Sequence, residues 1–110
     1  MAELNVSQIM ESIPEYFNPE RAKGIEAVVQ CFFSGKQASD WFIVIKDQTC
    51  EVEEGQVDQP DITIKADGEE GVKLFTGEMD PMRAFLLRKV KVSGDMALGM
   101  KLLNLFDRPD

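Results

Sequence analysis

The chain of 110 residues contains no histidine. That removes the commonest general base, the Ser-His and Cys-His nucleophile arrangements, and any zinc site built on imidazole. Cysteine is scarce too. Cys31 and Cys50 are too few and too far apart for a disulfide framework or a Cys-x-x-Cys metal or redox site, and both sit among apolar or alternating residues. Buried, reduced thiols in a reducing compartment are expected. No apolar run approaches the roughly 20 residues that a membrane-spanning helix needs, and the N-terminus lacks the basic and apolar regions of a signal peptide. The expectation is a soluble cytoplasmic protein with no stable membrane insertion. No Gly-rich phosphate loop is present, so nucleotide chemistry has no motif, and no cofactor is expected. The acidic cluster Glu51, Glu53, Glu54 has no calcium-loop spacing and reads as solvated surface rather than a metal site.

What is there fits one domain over residues 1–110, long enough to bury one core. Hydrophobic residues make up 44% and charged residues 29%, within the range of globular proteins. Twenty acidic against twelve basic residues give a net charge of -8, which repels nucleic acid and anionic membranes at long range. The charge is uneven. Asp47 to Asp80 carries eleven Asp/Glu against Lys65 and Lys73, whereas Arg83 to Lys101 carries five basic residues against Asp95. The bases either pair with the acidic middle segment or form a local basic patch.

Asn5 and Gln8 are spaced as a capping box before Ile9, Ile13 and Phe17, which predicts a short N-terminal helix limited by Pro14. Asn18-Pro19-Glu20 reads as a fresh helix start ending at Gly24. Ile25 to Phe33 alternates with period two and predicts a strand. Ser34-Gly35-Lys36 supplies a turn, and Trp41 to Lys46 a second strand, apolar on both faces and therefore central. Thr49–Glu53 and Asp61–Ala66 predict two further strands with one wet face. Short connections favour antiparallel neighbours. Asp67 is placed to cap a helix carrying Val72 and Phe75 and ending at Gly77, and Asp80-Pro81 to start another, with Met82, Phe85 and Leu86 as its apolar stripe. Val90 and Val92 mark a fifth strand. Gly94-Asp95 opens a last helix on which Met96, Leu98, Met100, Leu102, Leu103, Leu105 and Phe106 leave only Lys101 and Asn104 as a polar stripe. Four methionines in this last third supply soft apolar surface that either packs as an ordinary core or accommodates varied alkyl shapes.

The run Phe75-Thr-Gly-Glu-Met-Asp-Pro-Met-Arg-Ala-Phe85, followed by Lys89-Val-Lys-Val-Ser-Gly-Asp-Met-Ala-Leu-Gly-Met-Lys-Leu102, resembles the sterol-carrier-protein-2 family, with its stand-alone prokaryotic branch closest. The resemblance extends from Phe17 through Trp41 to Leu105. It implies an α+β fold, a five-stranded, mainly antiparallel sheet with helices packed on one face, enclosing an apolar tunnel. It also implies a non-enzymatic lipid carrier, with no catalytic residues, whose partner is a fatty acid, fatty acyl-CoA, phospholipid or sterol. On that reading Phe75, Met82, Phe85, Leu86, Met100, Leu103 and Phe106 line the tunnel, helped by Phe33 and Trp41 on the sheet, and Arg83, Arg88 or Lys89 meets a head group. Arg88 stands where the family commonly has glycine, so the turn into the fifth strand is expected to differ. The chain's end, Asp107-Arg-Pro-Asp110, has no peroxisomal targeting tripeptide. The rival reading is an interaction or accessory module whose apolar final helix docks on a second copy or an enzyme.

Overall fold

A computed structural model of the protein describes residues 5–76 and 78–107, and at Gln37, Phe75 and Pro81 the backbone alone. Helix α1 (Val6–Tyr16) opens with the capping box in place: the Asn5 side chain accepts from the Gln8 amide at 2.8 Å, and the Gln8 side chain accepts from the Asn5 amide at 3.0 Å. Pro14 lies inside this helix and does not end it. Asn18 caps only a turn, accepting from Glu20 N at 3.1 Å, so the second helix expected before Gly24 is absent and turns fill the segment. With Gly24 in the left-handed region four residues after Glu20, too few residues remain to propagate a helix.

Strands β1 (Ala27–Ser34), β2 (Ser39–Lys46), β3 (Thr49–Glu54), β4 (Ile62–Asp67) and β5 (Val90–Gly94) form one sheet in the order β3-β2-β1-β4-β5. Three pairings are antiparallel, but β4 lies parallel to β1 rather than antiparallel to β3. The short segment after β3 therefore crosses behind the sheet instead of turning back beside it. A buried polar residue holds this crossing in place. Gln30 is 1% exposed; its Nε2 donates to Trp41 O (2.9 Å) and Gly55 O (3.0 Å), while its Oε1 accepts from Val57 N (2.8 Å). Each of these backbone groups would otherwise be left unpaired or half-paired against the sheet. At the end of the crossing Asp61 joins three strands: it exchanges bonds with Val28 through its amide and carboxylate, and its carbonyl accepts from Asp95 N at 2.9 Å. Gly94 has φ +105°, and a Cβ there would run into Asp61 O, so the start of the last helix requires glycine.

The other face carries the helices and the core. In register, Val29, Cys31, Trp41, Ile43, Ile45 and Ile62 form it with Val6 and Met10 of α1, Ala22 and Leu105. Helix α2 (Gly68–Thr76) is capped by the Asp67 carboxylate, which accepts from Glu70 N at 3.4 Å as expected and also, more closely, from Glu69 N at 2.9 Å. Gly71 brings α2 so close to the sheet that a Cβ would lie 2.8 Å from the Phe33 ring. The helix-ending Gly77 lies outside the described residues. Helix α3 (Pro81–Leu86) starts at Asp80 with proline in its first turn, although the Asp80 side chain makes no capping bond. Helix α4 (Met96–Leu102) is capped by Asp95, which accepts from Leu98 N at 3.0 Å. It is shorter than its apolar run predicts. The chain leaves the helix after Leu102 because Leu105 and Phe106 are drawn back to α1: Asn18 N donates to Leu105 O and Asp107 N to Tyr16 O, both at 2.7 Å, and the Phe17 and Phe106 rings stand 5.7 Å apart.

Both cysteines are free. Burial pushes the Cys31 thiol up to about 12 and, assisted by the Glu51 carboxylate, the Cys50 thiol up to about 11. Neither is a thiolate at neutral pH, so neither is poised as a nucleophile.

Candidate functional site

The apolar residues of the last third are distributed unlike those of a core. On α3 the side turned to the sheet is Ala84, which is wholly buried in a small second cluster with Ala66 and Val90. At 100° per residue, Met82 and Leu86 then fall on the opposite side. Leu86 is 74% exposed and Leu87 58% exposed. The stripe Met82, Phe85, Leu86 is thus the outer face of α3 rather than its buried one, because a helix this close to strand β5 admits only the small side chain of Ala84 beneath it. Helix α4 repeats the arrangement. Gly99 lies over Ile62, and Leu98 and Leu102 are half-buried, whereas Met96, Met100 and Leu103 are exposed on the far side.

The two helices sit on the same face of the β4–β5 pair, at its two ends. Ala66 pairs with Val90 under α3, and Ile62 pairs with Gly94 near α4. The pairs lie four residues apart, about 13 Å along the strands. Between them Ile64 pairs with Val92. Both residues are half-buried, and both pack partly against each of the two clusters. The sequence reading missed this pair because alternation marks them as facing the core without saying how well they are covered.

At the α3 end lies an open concavity of about 410 Å³ lined by Glu78, Met79, Asp80, Arg83, Leu87 and Lys89. Two of the three expected head-group cations are therefore together. Lys89 also forms an ion pair with Glu70 at 3.5 Å, and the second carboxylate oxygen of Glu70 is buried with no hydrogen-bond partner among the described residues. Arg88 is not part of this lining. Its φ of +61° shows instead that the turn into β5 keeps the left-handed conformation that glycine adopts readily, with arginine bearing the steric cost.

The remaining expected lining residues are dispersed. Trp41 is buried in β2, donating its ring N–H to Ser39 Oγ at 2.9 Å, and two strands separate it from β5. Phe33 packs under Gly71, and Phe106 packs on Phe17. The Phe75 side chain lies outside the described residues. Phe85 is 37% exposed on α3, and Met82, Leu86, Met100 and Leu103 point outward. The described side chains do not converge on an enclosed tunnel. Among the described residues, no group of three or more metal-ligating side chains converges either, and Glu51, Glu53 and Glu54 are exposed on β3.

The SCP-2 sterol transfer family matches residues 6–107, which is nearly all of the described chain. The chain belongs to that family. A curated relative, hydroxysteroid dehydrogenase-like protein 2 from Xenopus tropicalis, is 31% identical over 98 residues, covering 88% of this chain and 24% of that protein. The chain thus spans about a quarter of the length of the curated relatives it matches. Among solved structures, palmitated SCP2L2 from Aedes aegypti superposes with a TM-score of 0.72 at 21% identity, covering 97% of this chain and 99% of that one. The stereoselective inverting sec-alkylsulfatase Pisa1 from Pseudomonas sp. superposes with a TM-score of 0.82 at 16% identity, covering 97% of this chain and 17% of the enzyme. These structural likenesses establish the fold, α+β with a mostly antiparallel five-stranded sheet.

Proposed function

We propose that this chain is a non-enzymatic carrier of an amphipathic lipid, a fatty acid, fatty acyl-CoA, phospholipid or sterol, held over the β4–β5 half of the sheet. The observation that carries this reading is the half-buried pair Ile64 and Val92 between the α3 and α4 ends of the β4–β5 pair, with Leu98 and Leu102 half-buried on α4, in a chain of the SCP-2 sterol transfer family. In this reading α3 and α4 part slightly to admit an alkyl chain and close over it. Burying a methylene is worth about 0.8 kcal/mol, so a fifteen-carbon chain offers on the order of 10 kcal/mol gross before entropy and desolvation are subtracted. Shape and area then set affinity, and the cations Arg83 and Lys89 orient a carboxylate or phosphate at the adjoining concavity. The relative from Aedes aegypti with palmitate supports the fatty-acid class.

Native mass spectrometry of the purified chain, with organic extraction of whatever co-purifies, tests the reading. The expected result is a discrete added mass, or uptake of added palmitate, with Phe85→Asp lowering affinity at least about tenfold while thermal unfolding stays near that of the parent. A chain that takes up no fatty acid, acyl-CoA, phospholipid or sterol would sink it.

One observation favours a second reading, an accessory module. The matched region is a minor part of larger proteins named for a dehydrogenase-like and a sulfatase activity. An empty chain that changes mass on mixing with an enzyme would favour that reading.

A further inference from the structure

The charges around the concavity at α3 do not suit a simple anion. Arg83 and Lys89 share its lining with two carboxylates, Glu78 and Asp80. Lys89 is already matched, its ammonium 3.5 Å from Glu70, whose second oxygen is buried with no hydrogen-bond partner among the described residues. That leaves one guanidinium and two carboxylates, and among the described residues none of the three makes an ion pair. Asp80 stands at the N-cap of α3 without capping it, whereas Asp67 and Asp95 both cap their helices. The concavity also has an apolar side. Met79 in its lining packs against the cluster of Ala66, Ala84 and Val90, as Ile64 and Val92 do. A head group held there has its alkyl chain beside the half-buried strip of the sheet.

We infer that the concavity selects a lipid with a zwitterionic head group, its phosphate against Arg83 and its ammonium against Glu78 and Asp80, over a lipid whose head carries an anion alone. The inference rests on the carrier reading and narrows its ligand class. A fatty acid carboxylate or an acyl-CoA phosphate entering the concavity gains Arg83 but meets the unpaired carboxylates of Glu78 and Asp80, and Glu70 holds the second cation, Lys89. Like charges at close range subtract what Arg83 supplies. A head group bearing both signs turns the same two carboxylates from a penalty into partners. Each contact is an exposed ion pair and contributes modestly, so the acyl chain provides the bulk of the affinity and the charges provide the choice between heads. Glu78 and Asp80 are thus the specificity-determining residues, and Asp80 is free for that task because α3 does not use its carboxylate.

Three lipids with one palmitoyl chain test it: palmitate, palmitoyl-lysophosphatidylglycerol and palmitoyl-lysophosphatidylethanolamine. The two phospholipids share a phosphate and differ in the ammonium. In calorimetric titrations below the micelle concentrations, the ethanolamine lipid is expected to bind about fivefold tighter than the glycerol lipid. Glu78→Gln combined with Asp80→Asn should erase that ratio by weakening the ethanolamine lipid, and Glu78→Gln alone should reduce it about twofold. Glu53→Gln, which removes the same charge from the exposed side of β3, should leave the ratio as it is, with circular dichroism unchanged throughout. Equal or tighter binding of the glycerol lipid or of palmitate, or a ratio that survives in the double variant, would overturn the selection and leave carriage standing. Binding of a sterol alone would do the same, whereas a chain that binds no lipid would overturn both.

Discussion

In the β1–β2 half of the sheet, Trp41, Ile43 and Ile45 lie in a cluster closed by α1 and Leu105 and are almost wholly removed from water. In the β4–β5 half, Ile64 and Val92 hold equivalent positions on the same face and remain half-buried under α3 and α4. The strand patterns are alike, so the difference comes from the covering helices. Helix α1 turns its own large apolar residues, Val6, Ile9 and Met10, inward. Helices α3 and α4 bring alanine and glycine closest to the strands, with Leu98 and Leu102 half-buried beside them, and turn Met82, Leu86, Met96 and Met100 outward. One half is finished as a core, and the other keeps apolar surface in reserve.

That contrast can be broken by mutation. The largest effect is expected at Ile62, which is 1% exposed beneath α4: Ile62→Ala should cost about 2–5 kcal/mol in chemical denaturation through lost burial and a cavity. Met100→Ala, on the outer face of the same region, should change stability by no more than about 0.5 kcal/mol. Equal costs would erase the distinction between the two faces of α4. Glycine substitutions compare the helices directly. Gly71→Ala forces a methyl to within 2.8 Å of the Phe33 ring and should destabilise by about 1–3 kcal/mol. Gly99→Ala meets Ile62 at an ordinary 3.7 Å and should be neutral, or stabilise by up to about 1 kcal/mol through helix propensity.

Behind the sheet, Gln30→Met strips partners from Trp41 O, Gly55 O and Val57 N, and an expected loss of about 1–3 kcal/mol should be accompanied by faster hydrogen exchange at the Val57 amide. Unchanged exchange there would show that the crossing holds without its buried amide. A small change is also expected at Arg88. Arg88→Gly relieves a left-handed arginine at the cost of a more flexible unfolded chain, so the melting temperature should rise by the equivalent of about 1 kcal/mol or less. A fall would mean that the guanidinium makes a stabilising contact that outweighs its backbone cost.

Much of this architecture was legible locally. Asn5 with Gln8 and Asp67 with Glu70 are caps that a few neighbouring residues dictate, and each forms as its spacing implies, while Asp95 opens the last helix by capping Leu98. The five strands likewise follow from alternation. The outward turn of Met82 and Leu86 was not legible, since a helical stripe of three apolar residues looks the same whether it faces sheet or water, and the deciding residue, Ala84, carries little weight in any periodicity. The site suffered most from this: Arg83 and Lys89 converge, but Phe33, Trp41 and Phe106, expected beside them, pack in the main core instead.

The sequence by itself determined the composition of this protein's chemistry, with no imidazole and only two cysteines, along with its caps, its strand segments, the segregation of acid from base and membership in its family. Only the tertiary structure decided that β4 crosses to lie parallel to β1, that Gln30 holds the crossing, that Leu105 and Phe106 leave the last helix for α1, and that α3 and α4 present apolar side chains outward. The physical reason is range. Caps and alternation depend on residues a few positions apart, whereas the face a short helix buries depends on how closely a strand distant in sequence lets it approach.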